Sequence, residues 1–472
     1  MLRRTKIVAT LGPACSDPST LHAILAAGVN VLRINFSHAE SGIFQIVEKA
    51  RAIADELNHP LAIMADLQGP KLRIGRFKDN QITLHDKQIF TLNCSTQELG
   101  DEHTVSVAYK NLCYELNVGD HLLLDDGLIE LKVTAITPPL IQCVVLEGGV
   151  LRNNKGLNRK GGGLAARALT EKDKKDLQTA VALDVDYLTL SFVRDAQDIK
   201  EARELLAGLN ARAIPIIAKI ERTEALHHLV EIINASDAVM VARGDLGVEI
   251  GPAEVPAIQK KIIEQSRRLD KVVITATQMM ESMIHHSQPT RAEVSDVANA
   301  ILDGTDAVML SAETATGKFP VKVIQMVDSI CKSSEKHAGF FYNAENESCY
   351  YQRADQAIAM ATMHAANHFP IKAIVALTES GASAIWMSRQ HSTVPIYAVT
   401  ANVGTVGKLS LVNNVFPIHI DYHSLADQEV NKGVLNHLMH QGYLKKNTFI
   451  LLTRGHKIGE PGGTNCMQII KV

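Results

Sequence analysis

The chemistry in this sequence gathers in the stretch 216–245. An apolar run ends on Lys219, Ile220 and Glu221, and a second apolar run, 238–242, ends on Arg243, Gly244 and Asp245. Between them, Leu226, Leu229, Val230 and Ile233 repeat at the spacing of one buried helix face. The stretch therefore reads as one βαβ unit that delivers a lysine and two carboxylates to the same edge of a parallel sheet. Ligands bind at that edge in α/β folds, because the loops there vary while the strands are packed. Two carboxylates beside a lysine form a divalent-cation site facing an anionic substrate. The competing explanation is a surface ion-pair network, but these residues end strands instead of lying on helix faces.

Positioning them requires a large scaffold. Apolar runs suited to buried strands recur at 6–11, 31–36, 61–67, 187–193, 214–220, 238–242, 272–276 and 307–311, with helical periodicity between most of them. Eight is the number that closes a (β/α)8 barrel, and right-handed βαβ repetition favours one barrel over several sheets. Thr170-Glu-Lys-Asp173 and Thr290-Arg-Ala-Glu293 supply helix starts with a carboxylate in the first turn. The pattern breaks once. From 71 to 168 short alternating segments, at 81–84, 88–92, 121–124 and 128–136, are separated by Gly-Asp, Asp-Gly and Pro-Pro, which reads as an inserted all-β lid. Gly69-Pro70 and Gly161-Gly162-Gly163 bracket it as hinges. A polar linker at 342–348 precedes a separate open-sheet α/β domain. The expected organisation is α/β: a TIM barrel over 1–70 and 169–340, a lid over 71–168, and a C-terminal α/β domain over 341–472.

Bulk properties exclude several classes. The 472 residues are 46% hydrophobic and 21% charged with a net charge of −3, which gives no reason to expect nucleic-acid binding. The basic run 152–160 is short and lacks aromatics. Seven dispersed cysteines fit reduced cytoplasmic thiols better than a disulfide framework. No apolar stretch approaches membrane-spanning length, and the N-terminal arginines lead into a strand, not an export signal. No G-x-x-x-x-G-K-[ST] loop occurs and no G-x-G-x-x-G follows a strand, so any phosphate is handled another way. His227-His228 are helical neighbours that point apart, and Met279, Met280 and Met283 have the spacing of packing residues.

At the strand ends the list becomes specific. Strand two ends in Arg33, Asn35, Ser37 and His38, and strand three in Asp66, Leu67, Lys71 and Arg73. Strand five ends in Lys219 and Glu221, and strand six in Arg243, Gly244 and Asp245. Strand seven ends in Thr275, Thr277 and Gln278, and strand eight in Ser311, Glu313 and Thr314. Alternate residues on a strand share a face, so each set projects together.

With the motifs TKIVATLGPA, RINFSH, DLQGPKLR, NNKGLN, IAKIE, MVARGDLGVEI, ATQMMESM and PTRAEVSDVANAILDGTDAVMLSAETATGKFP, the chain resembles the pyruvate kinase family over essentially its whole length. The resemblance implies transfer of the phosphoryl group of phosphoenolpyruvate to ADP in a cytoplasmic homotetramer, without nucleic-acid or membrane partners. It implies Glu221 and Asp245 as ligands of Mg2+ or Mn2+, and Lys219 as the cation neutralising the phosphoryl group in flight. Gly244, Asp245 and Thr277 meet the substrate carboxylate, with Thr277 near the step that protonates the enolate. Arg33, Asn35, His38, Arg73 and, from the lid, Lys155 meet the nucleotide. A metal-dependent lyase on the same barrel would have no use for that cationic set, and an inactive metabolite sensor should have lost Lys219, Glu221 or Asp245.

Three departures from the commoner family pattern carry further expectations. In potassium-activated relatives the ion sits among positions matching Asn35, Ser37, Asp66 and the carbonyl of Leu67. Here Leu67, Gln68 and Lys71 replace Thr, Lys and Glu, so Lys71 is expected to pair with Asp66 and make potassium unnecessary. Asn158-Arg-Lys-Gly-Gly-Gly163 replaces an apolar residue and Pro-Gly, loosening the lid hinge. The late C-terminal loop lacks a tryptophan, the only one being Trp386. The effector expected on Thr378, Glu379, Ser380, Gly381 and Ser383 is therefore a sugar monophosphate in preference to a bisphosphate.

Overall fold

The computed structural model describes residues 2–37, 42–164, 167–209, 212–337, 351, 353–424, 426–457, 459 and 462–472; His38 and the expected linker at 342–348 lie outside them. The eight expected runs form one closed parallel barrel: Lys6–Thr10, Val31–Asn35, Ala62–Asp66, Tyr187–Leu190, Ile216–Ile220, Ala238–Ala242, Val272–Ala276 and Ala307–Leu310. The first strand pairs with the second and with the eighth, Lys6 lying opposite Ala307.

Strand alternation sorts the side chains into two populations. Ile7, Leu32, Ile63, Leu188, Val239, Val273 and Val308 join the cluster packed under the surrounding helices. Val8, Val31, Met64, Tyr187, Ile217, Met240, Ile274 and Met309 fill the barrel interior. Both sets are buried, so the barrel is a packed core and not a pore. Continuing the interior set by two residues toward the strand C-termini brings Arg33, Asp66 and Lys219 onto the same inward face.

Both expected helix starts form, and each is a capping box: Thr170 with Asp173 and Thr290 with Glu293, each side chain bonded to the other's backbone N–H. The helix expected between strands five and six is instead two, Thr223–His227 and Leu229–Ala235. The break at His228 (φ −107°, ψ 20°) rotates the second piece. Its buried face becomes Leu229, Ile232 and Ile233, and Val230 is 49% exposed.

The inserted segment is a six-stranded sheet beside a two-stranded one. The expected strands appear as Gln81–Leu84, Ile89–Asn93, His121–Leu124 and Ile129–Thr137, joined by Thr104–Ser106, Leu140–Glu147, Gly149–Arg152 and Leu157–Arg159. The C-terminal sheet runs in the order Val415–His419, Ile396–Thr400, Ile371–Leu377, Phe449–Gly455, all parallel, with Thr464–Lys471 antiparallel at the edge.

This domain closes the N-terminal end of the barrel. The Tyr187 hydroxyl, at the base of the interior, donates to the Lys408 carbonyl. Lys6 donates to the Val415 carbonyl at 2.5 Å, and Arg389 pairs with the fully buried Asp306 at 2.5 Å. Among the described residues no helix is long and apolar enough to cross a membrane.

Candidate active site

A layer of charge caps the apolar interior at the C-terminal ends of the strands. Arg33 donates through Nε and Nη2 to Asp66, both at 2.7 Å, and through Nη1 to the Thr10 hydroxyl at 3.1 Å. Lys219 donates to Glu221 at 2.7 Å and to the Ser191 hydroxyl at 2.9 Å, and lies 3.8 Å from Asp66. Ser191 in turn donates to the Leu67 carbonyl at 2.7 Å. The second Glu221 oxygen accepts the Phe192 N–H at 2.7 Å, an approach made possible by a left-handed Phe192 (φ +57°).

Burial works to lower the Lys219 pKa, but the charges of Asp66 and Glu221 outweigh burial and the repulsion of Arg33. The ammonium is therefore held above its ordinary value and stays charged. Burial pushes the Glu221 carboxyl up, Lys219 pulls it down, and the charge of Asp245 adds to the rise. Glu221 and Asp245 thus feel each other and gain from positive charge placed between them.

Asp245 lies in the first turn of the helix Arg243–Ile250 that follows strand six. The Gly244 N–H donates to the Thr277 hydroxyl at 2.8 Å, and that hydroxyl donates to the Ala276 carbonyl at 2.7 Å. Thr277 and Gln278 have φ of +68° and +54°. For a β-branched residue this is a true outlier, costing about 1–3 kcal/mol and persisting only where the surroundings over-determine it.

Lys71 overturns one expectation. Its ammonium meets Asp245 at 2.7 Å, with Asp126 of the lid at 4.0 Å, and does not pair with Asp66. The reason lies in the turn between them. Gly69 is left-handed (φ +66°), its N–H tied to Asp173 at 3.1 Å, and a Cβ there would lie 2.9 Å from Ser191 Cβ. The turn carries Lys71 across the barrel mouth, while Arg33 and Ser191 already fill the surroundings of Asp66.

On the lid, Lys155 pairs with Asp125 at 2.7 Å, and Arg73 donates to the Asn154 carbonyl at 2.9 Å. A cleft of about 1030 Å3 separates lid from rim, lined by Lys71, Asp126 and Lys160 on one side and by Asp245, Thr277 and Ser311 on the other.

Residues 2–324 match the family model for the pyruvate kinase barrel domain, and residues 356–470 match that for the pyruvate kinase alpha/beta domain. A pyruvate kinase of Buchnera aphidicola subsp. Schizaphis graminum is 48% identical over 479 residues, covering 100% of this chain and 99% of the relative. Pyruvate kinase II of Salmonella typhimurium is 45% identical over 481 residues, with the same coverages. The chain belongs to the pyruvate kinase family. A crystal structure of a pyruvate kinase from Cryptosporidium parvum superposes with a TM-score of 0.89 at 29% identity, covering 99% of this chain and 96% of that one. The chain is accordingly a phosphotransferase enzyme of the glycolytic type.

Pyruvate kinases generally use a divalent metal, and the residues present fit one. Glu221 and Asp245 are hard oxygen donors, as Mg2+ and Mn2+ prefer, and each already draws an ammonium to 2.7 Å, Lys219 to one and Lys71 to the other. Among the described residues no group of three or more His, Cys, Asp or Glu could hold a metal. A cation here would complete its shell from substrate and water.

Asn35 and Ser37 end strand two beside Asp66, the Asn35 side chain accepting the Ser37 N–H at 3.1 Å. In the C-terminal domain, Gly381 (φ +80°) turns the chain between strand and helix, its N–H on the Thr378 hydroxyl at 3.0 Å. Among the described residues the buried Ser383 hydroxyl has no partner. Thr378, Glu379, Ser380 and Ser383 share a small pocket with Arg454 and Lys457.

Ser191 and Phe192 were missed by sequence reasoning, which named no chemistry at the end of strand four. The signal was present, since Ser191 continues the inward series Tyr187 and Thr189. Arg243, at the end of strand six, carries no role in the sequence reading.

Proposed function

We propose that the phosphoryl group of phosphoenolpyruvate passes to a terminal phosphate oxygen of ADP, giving ATP and an enolate that takes a proton at carbon to become pyruvate. The observation that carries this reading is Lys219, held charged at the barrel mouth between Asp66 and Glu221. Its ammonium neutralises charge on the phosphoryl group in flight, where such preorganised donors contribute most. Glu221 and Asp245 hold Mg2+ or Mn2+, which supplies positive charge to the substrate phosphate and carboxylate. Asp245 presents its backbone N–H to that carboxylate beside Gly244, whose own N–H is held on the Thr277 hydroxyl, and Thr277 sits at the protonation step. Arg33 with Asn35, and Arg73 and Lys155 from the lid, meet the nucleotide; His38 joins them by sequence. A coupled assay should show pyruvate formation that requires both ADP and Mg2+; pyruvate released without ADP would defeat the reading.

Potassium is not required on this reading. Asp66, the one formal negative charge among Asn35, Ser37, Asp66 and the Leu67 carbonyl, is already matched by Arg33 and lies 3.8 Å from Lys219, and Lys71 adds a further cation to the rim. Activity in tetramethylammonium salts should equal that in potassium; activation of about tenfold or more, roughly 1.4 kcal/mol, would refute this.

The C-terminal pocket takes a sugar monophosphate. The Ser383 hydroxyl, unpartnered among the described residues, and the cationic Arg454 and Lys457 suit one phosphate. Sugar monophosphates should sharpen substrate saturation, and a Ser380→Asp, Ser383→Asp double variant should abolish that response. The enzyme works as a cytoplasmic homotetramer, testable by light scattering.

A further inference from the structure

We infer that Arg243 is the positioning residue for Thr277: it holds the Thr277 backbone in its left-handed conformation and so sets where the hydroxyl points. The inference rests on the reading of Thr277 as the group at the protonation step. Arg243 Nη2 donates to the Thr277 carbonyl at 2.7 Å and Nε to the Ala276 carbonyl at 3.2 Å. One rigid guanidinium thus grips both carbonyls flanking the Thr277 peptide unit, which no single point donor can do. Nη1 is anchored on Asp296 at 2.7 Å and on Gln259 at 3.3 Å, and Nη2 also donates to Met279 Sδ at 2.8 Å. The side chain is 10% exposed.

The arrangement is reciprocal across two strands. Gly244, the next residue, gives its N–H to the Thr277 hydroxyl. The first turn of the helix after strand six therefore fixes Thr277 at both its backbone and its side chain. Without Arg243 the chain at Thr277 and Gln278, both at positive φ, is free to relax toward ordinary backbone, and the hydroxyl moves with it. Glu221, Lys219 and the lid cations make none of these contacts, so nucleotide binding should be untouched.

The test is a cycle of Arg243→Met, Thr277→Ala and the double variant, read by kcat, by KM for ADP and by exchange of pyruvate methyl protons with solvent. Arg243→Met should lower kcat and methyl exchange together by about 10²-fold, as misplacement of a reacting group does, with KM for ADP unchanged. The double variant should be no slower than Thr277→Ala, and guanidinium chloride at non-denaturing concentration should partly restore Arg243→Met where ammonium chloride does not. Thr277→Ala at full kcat would defeat the reading of Thr277 and this inference with it. A slow Thr277→Ala combined with losses that multiply in the double variant would defeat the inference alone, as would a normal kcat in Arg243→Met. Should Arg243→Met fail to fold, Asp296→Asn replaces it in the cycle, its side chain being 36% exposed. A smaller loss that does not multiply with Thr277→Ala supports the inference, and an unchanged kcat overturns it.

Discussion

Lys71 stands where a divalent cation would gain most, so removing its charge should tighten metal binding to the free enzyme. The ammonium lies 2.7 Å from Asp245, and the two side chains are 23% and 20% exposed. At that separation the Coulomb attraction is ~1.5 kcal/mol in water and ~6 kcal/mol at an effective dielectric constant of 20. Ordering a long lysine side chain consumes up to ~2 kcal/mol, and water reaches both partners, which leaves a net pairing of about 1–2 kcal/mol. A metal binding Asp245 must displace that pairing. Lys71→Met should therefore lower the Kd for Mn2+ by roughly 5- to 30-fold, since each 1.4 kcal/mol is tenfold. Titration of the free enzyme followed by Mn2+ electron paramagnetic resonance reads this directly, without turnover. An unchanged or weaker Mn2+ affinity would show that Lys71 does not compete for Asp245.

Three further outcomes are expected. Lys219→Met should lower kcat by about 10²-fold or more, roughly 3 kcal/mol, while phosphoenolpyruvate affinity changes far less; near-normal kcat would remove Lys219 from the chemistry. Burial raises the Glu249 carboxyl to about 7 against the donors of Thr223. A pKa raised on folding contributes stability that is complete below the unfolded value of about 4.5 and is lost as pH rises through about 7. Wild type should thus lose Tm relative to Glu249→Gln between those pH values and run parallel above them; parallel curves throughout would refute it. Arg389→Met should destabilise by about 3–5 kcal/mol, because it strands the buried Asp306 carboxylate. Double replacement of Arg389 and Asp306 by apolar residues should recover much of that loss in thermal unfolding, and no recovery would argue against a charge-pair origin.

The barrel and most of its chemistry were legible because strand alternation is local. Once residues 216–220 are a strand, Lys219 and Glu221 must share a face, and register with neighbouring strands does the rest. The direction of Lys71 was not legible, since it depends on a left-handed Gly69 tied to Asp173, a residue about a hundred positions away in sequence. The break at His228 escaped for a related reason: the apolar spacing fits one continuous helix, and only the packing selects two. Ser191 was readable but lay beyond a strand whose end carries no charged residue. Thr104–Ser106 and Leu157–Arg159 are three-residue strands, too short for a period to declare itself.

The two chain segments that enter and leave the lid do not run separately. Arg73 and Gly156 form an antiparallel bridge, the Ile74 N–H meets the Lys155 carbonyl at 3.0 Å, and the Leu157 N–H meets the Leu72 carbonyl at 2.9 Å. They form a two-ply ribbon with Gly69 at one root and Gly161, Gly162 and Gly163, all at positive φ, at the other. A ribbon is mechanically anisotropic: it bends readily out of its own plane and resists bending within it, because in-plane bending would stretch one ply's hydrogen bonds against the other's. Any hinge motion of the lid would therefore be steered along a single arc, and it would carry Arg73 and Lys155, which sit on the ribbon itself, along the same path.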